Sequence, residues 1–302
     1  MITDRDMIEA RDDRRHQPAG DSLPLWNESY WFSFYDPAAR IGVVTRIGML
    51  PNAKESNVWF YVSRDGKIAH TGTDLRCAVP GGDIDALNLK DVTYRCLEPL
   101  RKYRLTYEGA GASMDVAWSG AHPVFLYPVP PGSTESQFPR HIEQGGRVRG
   151  TIAVGGKTHP IDTVGHRDHS WGGERDWTRL GTWHYISGDF ADFSFNVVRV
   201  MMGGGEFSAG YVWDGKEIMG VTDFRTEVST DASGRRQTAA SIALLDERER
   251  AHAISAKIID VCEVDLGGTN CNDGFAEFRM GDRTGHGIVE LGTQHGGQAL
   301  LI

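Results

Sequence analysis

Residues 165–177, GHRDHSWGGERDW, place two His, two Arg, two Asp, one Glu and two Trp within thirteen positions. Such a mixture supplies proton donors and acceptors, cations to hold carboxylates, and aromatic walls. Written as a strand, 166–171 alternates faces, with His166, Asp168 and Ser170 on one side and Arg167, His169 and Trp171 on the other. Trp171, Trp177 and Trp183 argue for burial. Buried charges need partners, so Arg167, Asp168, Glu174, Arg175 and Asp176 are expected to form an ion-pair network. Two readings follow. Either burial and neighbouring charge tune a His or Asp for proton transfer beside an aromatic pocket, or the cluster is a polar plug joining two halves of the molecule.

Other chemistries have less support. A metal would draw on His166 with Asp168, or His169 with His184, but no HExxH or facial-triad spacing completes a ligand set, so no metal is expected. Ser170 sits in HSWG, outside a G-x-S-x-G elbow. The glycines of MMGGGEF, 201–207, lack the Lys-Ser/Thr of a phosphate loop and read as a strand corner. Downstream, in GTWHYISGDFADF, alternation sets His184 opposite Trp183 and Tyr185. GHGIVELG, 285–292, reads as a closing barrel strand.

The elements that must position these groups are strands. Residues 4–16 fit a short helix. Beyond them β-branched and aromatic runs dominate, at Val58–Ser63, Tyr103–Tyr107, Met114–Trp118, Val148–Val154, Phe193–Met201, Phe207–Trp213, Ala239–Leu245 and Ile254–Val264. Asp65-Gly66, Gly155-Gly156 and Asp214-Gly215 sit between such runs as hairpin turns. The pattern excludes a doubly wound sheet and points to antiparallel barrels or sandwiches. Tyr61–Ile68, YVSRDGKI, echoes Tyr211–Ile218, YVWDGKEI, with one residue of slippage. The echo fits either two related barrels or two hairpins of common composition. The stretch 127–132 reads as a loop or local linker.

Composition sets outer bounds. Forty per cent apolar and 24% charged residues are globular values that exclude a disordered chain. No apolar run nears the roughly 20 residues of a membrane helix. A charge of −9 and a pI near 5.7 disfavour nucleic acid as a partner. RDDRR at 11–15 reads as a solvated face or ordered tail. The charged N-terminus lacks the apolar segment of a secretory signal, so a cytoplasmic location is expected. Cys77, Cys96, Cys262 and Cys271 have no CxxC spacing and read as reduced thiols.

GHRDHSWG followed by RDW and a tryptophan-containing strand resembles the lipocalin-like two-barrel family of carotenoid 1,2-hydratase, kievitone hydratase, AttH-like proteins and fungal lipocalin-like Diels–Alderases. The nearer likeness is to bacterial members. It extends to a W-x-E-x-x-W segment at Trp26–Trp31, an H-x-E-Q-x-G stretch within His141–Gly150, and G-x-G-x-x-E at Gly285–Glu290. The resemblance implies an all-β chain of two lipocalin-like (calycin) antiparallel barrels or half-open barrels packed side by side, residues 1–175 and 176–302. It also implies an apolar cavity for hydrophobic molecules. In the hydratases the H-x-W of the motif strand contributes to the pocket, which maps onto His169 and Trp171, and an Asp on a later strand is the proton donor. Here Phe193–Met201 holds Asn196 and no carboxylate. Asp168, Asp176 or Asp192 must substitute, or the hydratase chemistry is absent.

The expectation drawn from these residues is a cofactor-independent hydratase, dehydratase or double-bond isomerase acting on a terpenoid, steroid or other lipid-like substrate. Asp168 is its acid or orients a His, and His169 is the proton-transfer partner. His166, Asp176 and His184 stand behind them. Trp171, Trp177, Trp183, Tyr185 and Asn196 line the substrate, while Arg167, Glu174 and Arg175 hold carboxylates in place. The alternative is a non-catalytic carrier of a hydrophobic small molecule. The oligomeric state is left open.

Overall fold

The computed structural model describes residues 8–129, 139–177, 180–202 and 205–294. Strands dominate it, and no helix among the described residues is long and apolar enough to cross a membrane. The chain divides into two compact units, the first comprising residues up to Asp65 with Ala69–Arg175, the second Gly66–Ile68 with the chain from Asp176 onward.

The strands of the first sheet are β1 (Trp26–Asp36), β2 (Ile41–Leu50), β3 (Glu55–Arg64), β4 (Lys67–Thr71), β5 (Asp74–Cys77) and β6 (Leu87–Leu89). They continue with β7 (Val92–Glu98), β8 (Lys102–Gly109), β9 (Ala112–Gly120), β10 (Phe125–Leu126), β11 (Arg140–Val154) and β12 (Lys157–Glu174). Their spatial order is β4-β3-β2-β1-β12-β11-β9-β8-β7-β6, with β10 on β11 and β5 on β3. Strands distant in this order meet through aromatic side chains. Phe32 of β1 packs edge-on against Tyr94, Tyr103 and Trp118 at 5.2, 5.4 and 6.0 Å, and Phe60 of β3 stacks on Tyr107 of β8 at 3.7 Å. The sheet therefore curls around an aromatic core into a half-open barrel. Glycine makes room for this packing, since a Cβ at Gly146 would lie 2.4 Å from the Trp118 ring. The chain from Lys157 to Glu174, carrying the charged cluster, runs between β1 and β11 at the centre of the sheet.

The second unit is a closed antiparallel barrel with strands in chain order: β13 (Leu180–Asp189), β14 (Ser194–Met202), β15 (Gly205–Trp213), β16 (Ile218–Thr230), β17 (Gln237–Asp246), β18 (Ala251–Asp265), β19 (Thr269–Met280) and β20 (Arg283–Gln294). β20 returns to pair with β13. Its core includes Phe195 and Phe278, packed edge-on at 5.4 Å.

Each run expected to be a strand overlaps an observed one. The echo between Tyr61–Ile68 and Tyr211–Ile218 falls on the turn after the third strand of each unit, β3 and β15. Asp65 and Gly66 have φ of 54° and 75°, and Gly155 and Gly156 of 60° and 72°, the left-handed conformation of tight hairpins. The helix expected over 4–16 is, in its described part, a four-residue 3-10 turn at Ala10–Asp13. Contacts with the sheet set this segment's path in place of a helical face: Asp13 is buried and bound to Arg167, and His16 is bound to Glu28. Of the loop expected over 127–132, residues 127–129 carry no regular structure and the rest lies outside the described residues.

Candidate active site

β12 pairs with β11 so that Asp168 lies directly opposite Glu143, and with β1 so that Asp168 lies opposite Trp31. Glu143 is fully buried and held by three donors: His141 Nε2 at 2.6 Å and Tyr127 OH at 3.0 Å on Oε1, and His166 Nε2 at 3.0 Å on Oε2. Tyr127 also stacks on the His141 ring at 4.5 Å. An ionised carboxylate only accepts, so both imidazoles present N–H to it. Burial pushes the Glu143 carboxyl up, but the hydrogen bonds and charge of His141 and His166 outweigh it and bring it down to about 2.

Asp168 has the reverse balance. Burial is the largest influence and pushes its carboxyl up to about 6; His141 opposes, the Glu143 charge adds, and Arg46 and Arg175 oppose. None of these leading influences is a hydrogen bond. Its side chain keeps partial exposure to solvent. Two carboxyls facing each other across a ladder cannot both ionise cheaply, and the donors around Glu143 decide which one keeps the proton.

The opposite face of β12 carries Arg167, His169 and Trp171. Arg167 donates from Nη1 to Asp13 at 3.0 Å and from Nε to Gln144 at 2.9 Å, with its guanidinium over the Tyr103 and Trp118 rings. Asp13 also accepts from Tyr103 OH and the Leu100 amide. His169 Nε2 lies 3.0 Å from Glu28 Oε1, and His16 Nδ1 lies 2.9 Å from the same oxygen. Burial lowers the His169 pKa despite Glu28, so a neutral ring donates from Nε2. Tyr30 stacks on His169 at 4.1 Å, and His16 on Trp171 at 4.4 Å.

The sequence-predicted site is thus divided by the strand. His166 and Asp168 share a face with Glu143, whereas His169, the expected partner of Asp168, lies on the other face and pairs with Glu28. For Arg167 and Glu174 the expected pairing within the cluster is corrected, since Arg167 is bound to Asp13 and Glu174 Oε1 accepts from the Leu25 amide at 3.2 Å, whereas the Arg175 charge does act on Asp168. Neighbours in sequence point to opposite faces of a strand, so partners come from adjacent strands and from the N-terminal segment. Arg175 reaches Ser170 Oγ at 3.4 Å. Gly172 and Gly173, with φ of 83° and 65°, stand where the pairing with β1 shifts register.

Asp176, Trp177, Trp183, His184, Tyr185 and Asn196 belong to the second unit. Trp183 donates to Glu290, and its ring lies 6.0 Å from that of Trp177. His184 Nδ1 is 3.3 Å from Thr226 Oγ1 on the barrel's inner face, Tyr185 is buried, and Asn196 is buried with Nδ2 3.4 Å from the Ile186 carbonyl.

Among the described residues, three groups of potential ligand atoms lie within 4.8 Å of one another: His141, Glu143 and Asp168; His16, Glu28 and His169; Cys271, Asp273 and Glu290. In the first two the carboxylate already accepts from imidazoles, which would have to give up those N–H groups to receive a cation.

Sequence reasoning missed Glu143, His141, Tyr127, Glu28, Asp13 and His16. The H-x-E of 141–143 was a usable signal, because i and i+2 share a strand face. Asp13 and His16 gave none, lying in or beside a charged segment that reads as solvated.

Residues 9–295 match the family described as Domain of unknown function (DUF7064). The chain belongs to that family. No curated protein matches it. Among solved structures it is similar to an AttH-like protein from Nitrosomonas europaea, with a TM-score of 0.71 at 15% identity over 90% of this chain and 93% of that one. It is also similar to kievitone hydratase from Nectria haematococca, with a TM-score of 0.63 at 14% identity, 91% of this chain and 92% of that one. CghA with Sch210972 gives a TM-score of 0.60 at 9% identity, covering 92% and 93%. These are neighbours in fold, and an AttH-like protein and kievitone hydratase are among the proteins that the motif resemblance named.

Proposed function

We propose that the protein is a cofactor-independent hydro-lyase or double-bond isomerase acting on a hydrophobic alkene or alcohol of terpenoid, steroid or similar lipid-like character, with Asp168 as the proton donor. The observation that carries this reading is the split carboxyl pair: Asp168 at about 6 directly opposite Glu143 at about 2. Carboxyls pushed apart in this way are how one fold keeps an acid ready near neutrality. Asp168 transfers its proton to one alkene carbon and leaves a cation on the next. Water then adds to that cation and the oxonium returns a proton to the Asp168 carboxylate, or a neighbouring C–H gives its proton to that carboxylate and the double bond moves. In the dehydrating direction Asp168 protonates the hydroxyl, water departs, and a neighbouring C–H returns a proton to Asp168 as the double bond forms. Trp31, opposite Asp168 on β1 and on the same face of the sheet, is the aromatic group in register to stabilise the developing cation. Glu143 disfavours a lasting negative charge on Asp168 and so promotes its reprotonation.

The fold shared with a kievitone hydratase lends support without specifying the reaction. The test is incubation with a pooled panel of terpenoid, steroid and carotenoid alkenes and alcohols in ¹⁸O-labelled D₂O, read by mass spectrometry. Enzyme-dependent ¹⁸O gain or water loss supports hydro-lyase chemistry, and deuterium gain alone supports isomerisation, each vanishing with Asp168→Asn. Binding without any label would replace this reading with that of a carrier.

A further inference from the structure

The wall of the second barrel is incomplete at one place. β15 and β16 pair only through Tyr211–Trp213 and Ile218–Gly220, and among the described residues Gly205–Gly210 has no rung with the remainder of β16. A cleft of about 190 Å³ opens there between Glu206, Ser208 and Ala209 on one side and Val221, Thr222, Asp223 and Phe224 on the other, with Arg199 also in its lining.

The barrel's inner face changes character at this opening. Phe195 and Val197 of β14 belong to the apolar core, and the next inward residue is Arg199. Directly opposite Arg199 on β13 is His184, which contacts Thr226, both of them buried. A cation in such a place must be compensated. The Arg199 side chain is 13% exposed; its Nη2 donates to the Phe224 carbonyl at 3.1 Å and its guanidinium lies 4.8 Å over the Phe224 ring. Its carboxylate partner is Glu206, 3.2 Å from Nε and 47% exposed. Pairs with such an exposed member hold weakly, and these contacts leave part of the five-donor fork for an incoming acceptor.

We propose that this opening binds a carboxylate-bearing amphipathic small molecule, its carboxylate on Arg199 in place of Glu206 and its apolar part over Phe224, Val221 and Ala209. Arginine's planar fork matches a carboxylate, and the cleft has room for a headgroup and a few carbons, the volume of roughly six waters. The site belongs to the second unit, whereas the proposed proton donor Asp168 belongs to the first.

The test titrates the full chain with octanoate, 1-octanol and octylamine by isothermal calorimetry. Octanoate should bind on the order of tenfold or more tightly than octanol, as a charge-assisted contact implies. Arg199→Gln should remove that preference. Glu206→Gln, on an exposed strand edge, should tighten octanoate severalfold by removing the internal competitor, and it keeps the test decisive if Arg199→Gln does not fold. Equal or tighter binding of octanol or octylamine, or no tightening with Glu206→Gln, would overturn the proposal.

Discussion

Replacing Asp168 by Asn should stabilise the protein while removing its proposed activity. A carboxyl whose native pKa exceeds its unfolded value binds more protons folded than unfolded between the two values. Stability therefore falls as pH rises from 3.8 through about 6, and the full cost stands above that range. A move from 3.8 to about 6 corresponds to roughly 3 kcal/mol at about 1.36 kcal/mol per pH unit. Partial exposure screens the group and leaves about 1–2 kcal/mol. Asparagine has nearly the same shape and carries no charge, so at about pH 8 the variant should melt some 2–6 °C higher, and at about pH 4 it should match the parent. Differential scanning calorimetry at both pH values reads this directly. A lower melting temperature for Asp168→Asn at the higher pH would refute the reasoning, because it would mean the carboxylate is ionised and paired.

Activity, once a substrate is found, should decline as pH rises through about 6, where Asp168 loses its proton, and hold below it while Glu143 stays ionised down to about 2; a pH profile of kcat/KM checks this. Glu143→Gln leaves the buried His166 and the partly buried His141 without a carboxylate and should cost about 2–4 kcal/mol by urea denaturation. In the same variant the Asp168 limb should move to lower pH, since the Glu143 charge raises Asp168. Arg167→Met strands buried Asp13 and should cost about 3–5 kcal/mol in the same assay. Gly172→Ala forces a side chain into φ 83° and should cost about 1 kcal/mol or more.

Much of the architecture was legible because strand alternation and hairpin glycines are local signals. Tyr103–Tyr107 and Met114–Trp118 carry their own periodicity, and Gly155-Gly156 can adopt the turn that joins β11 to β12. The helix over 4–16 was not legible correctly, because its charges are bound by long-range partners such as Arg167, 154 residues from Asp13. The candidate site was half legible. Alternation separated Asp168 from His169 at once, but the pairing of β11 with β12 that sets Glu143 opposite Asp168 depends on register, which a single strand does not encode. The charge density of 165–177 invited pairing within the stretch, whereas the geometry of a strand sends each charge to a neighbouring segment.

The proton of Asp168 decides the proposed chemistry. Carbon-13 labelling of Asp and Glu side-chain carboxyls, with Asp168→Asn and Glu143→Gln to assign the two resonances, follows both groups through a pH titration by NMR. The predicted result is a resonance belonging to Asp168 that titrates near 6 while that of Glu143 stays ionised down to about 2. Titration of Asp168 at or below its ordinary value of 3.8, or a proton retained on Glu143 in its place, would contradict it.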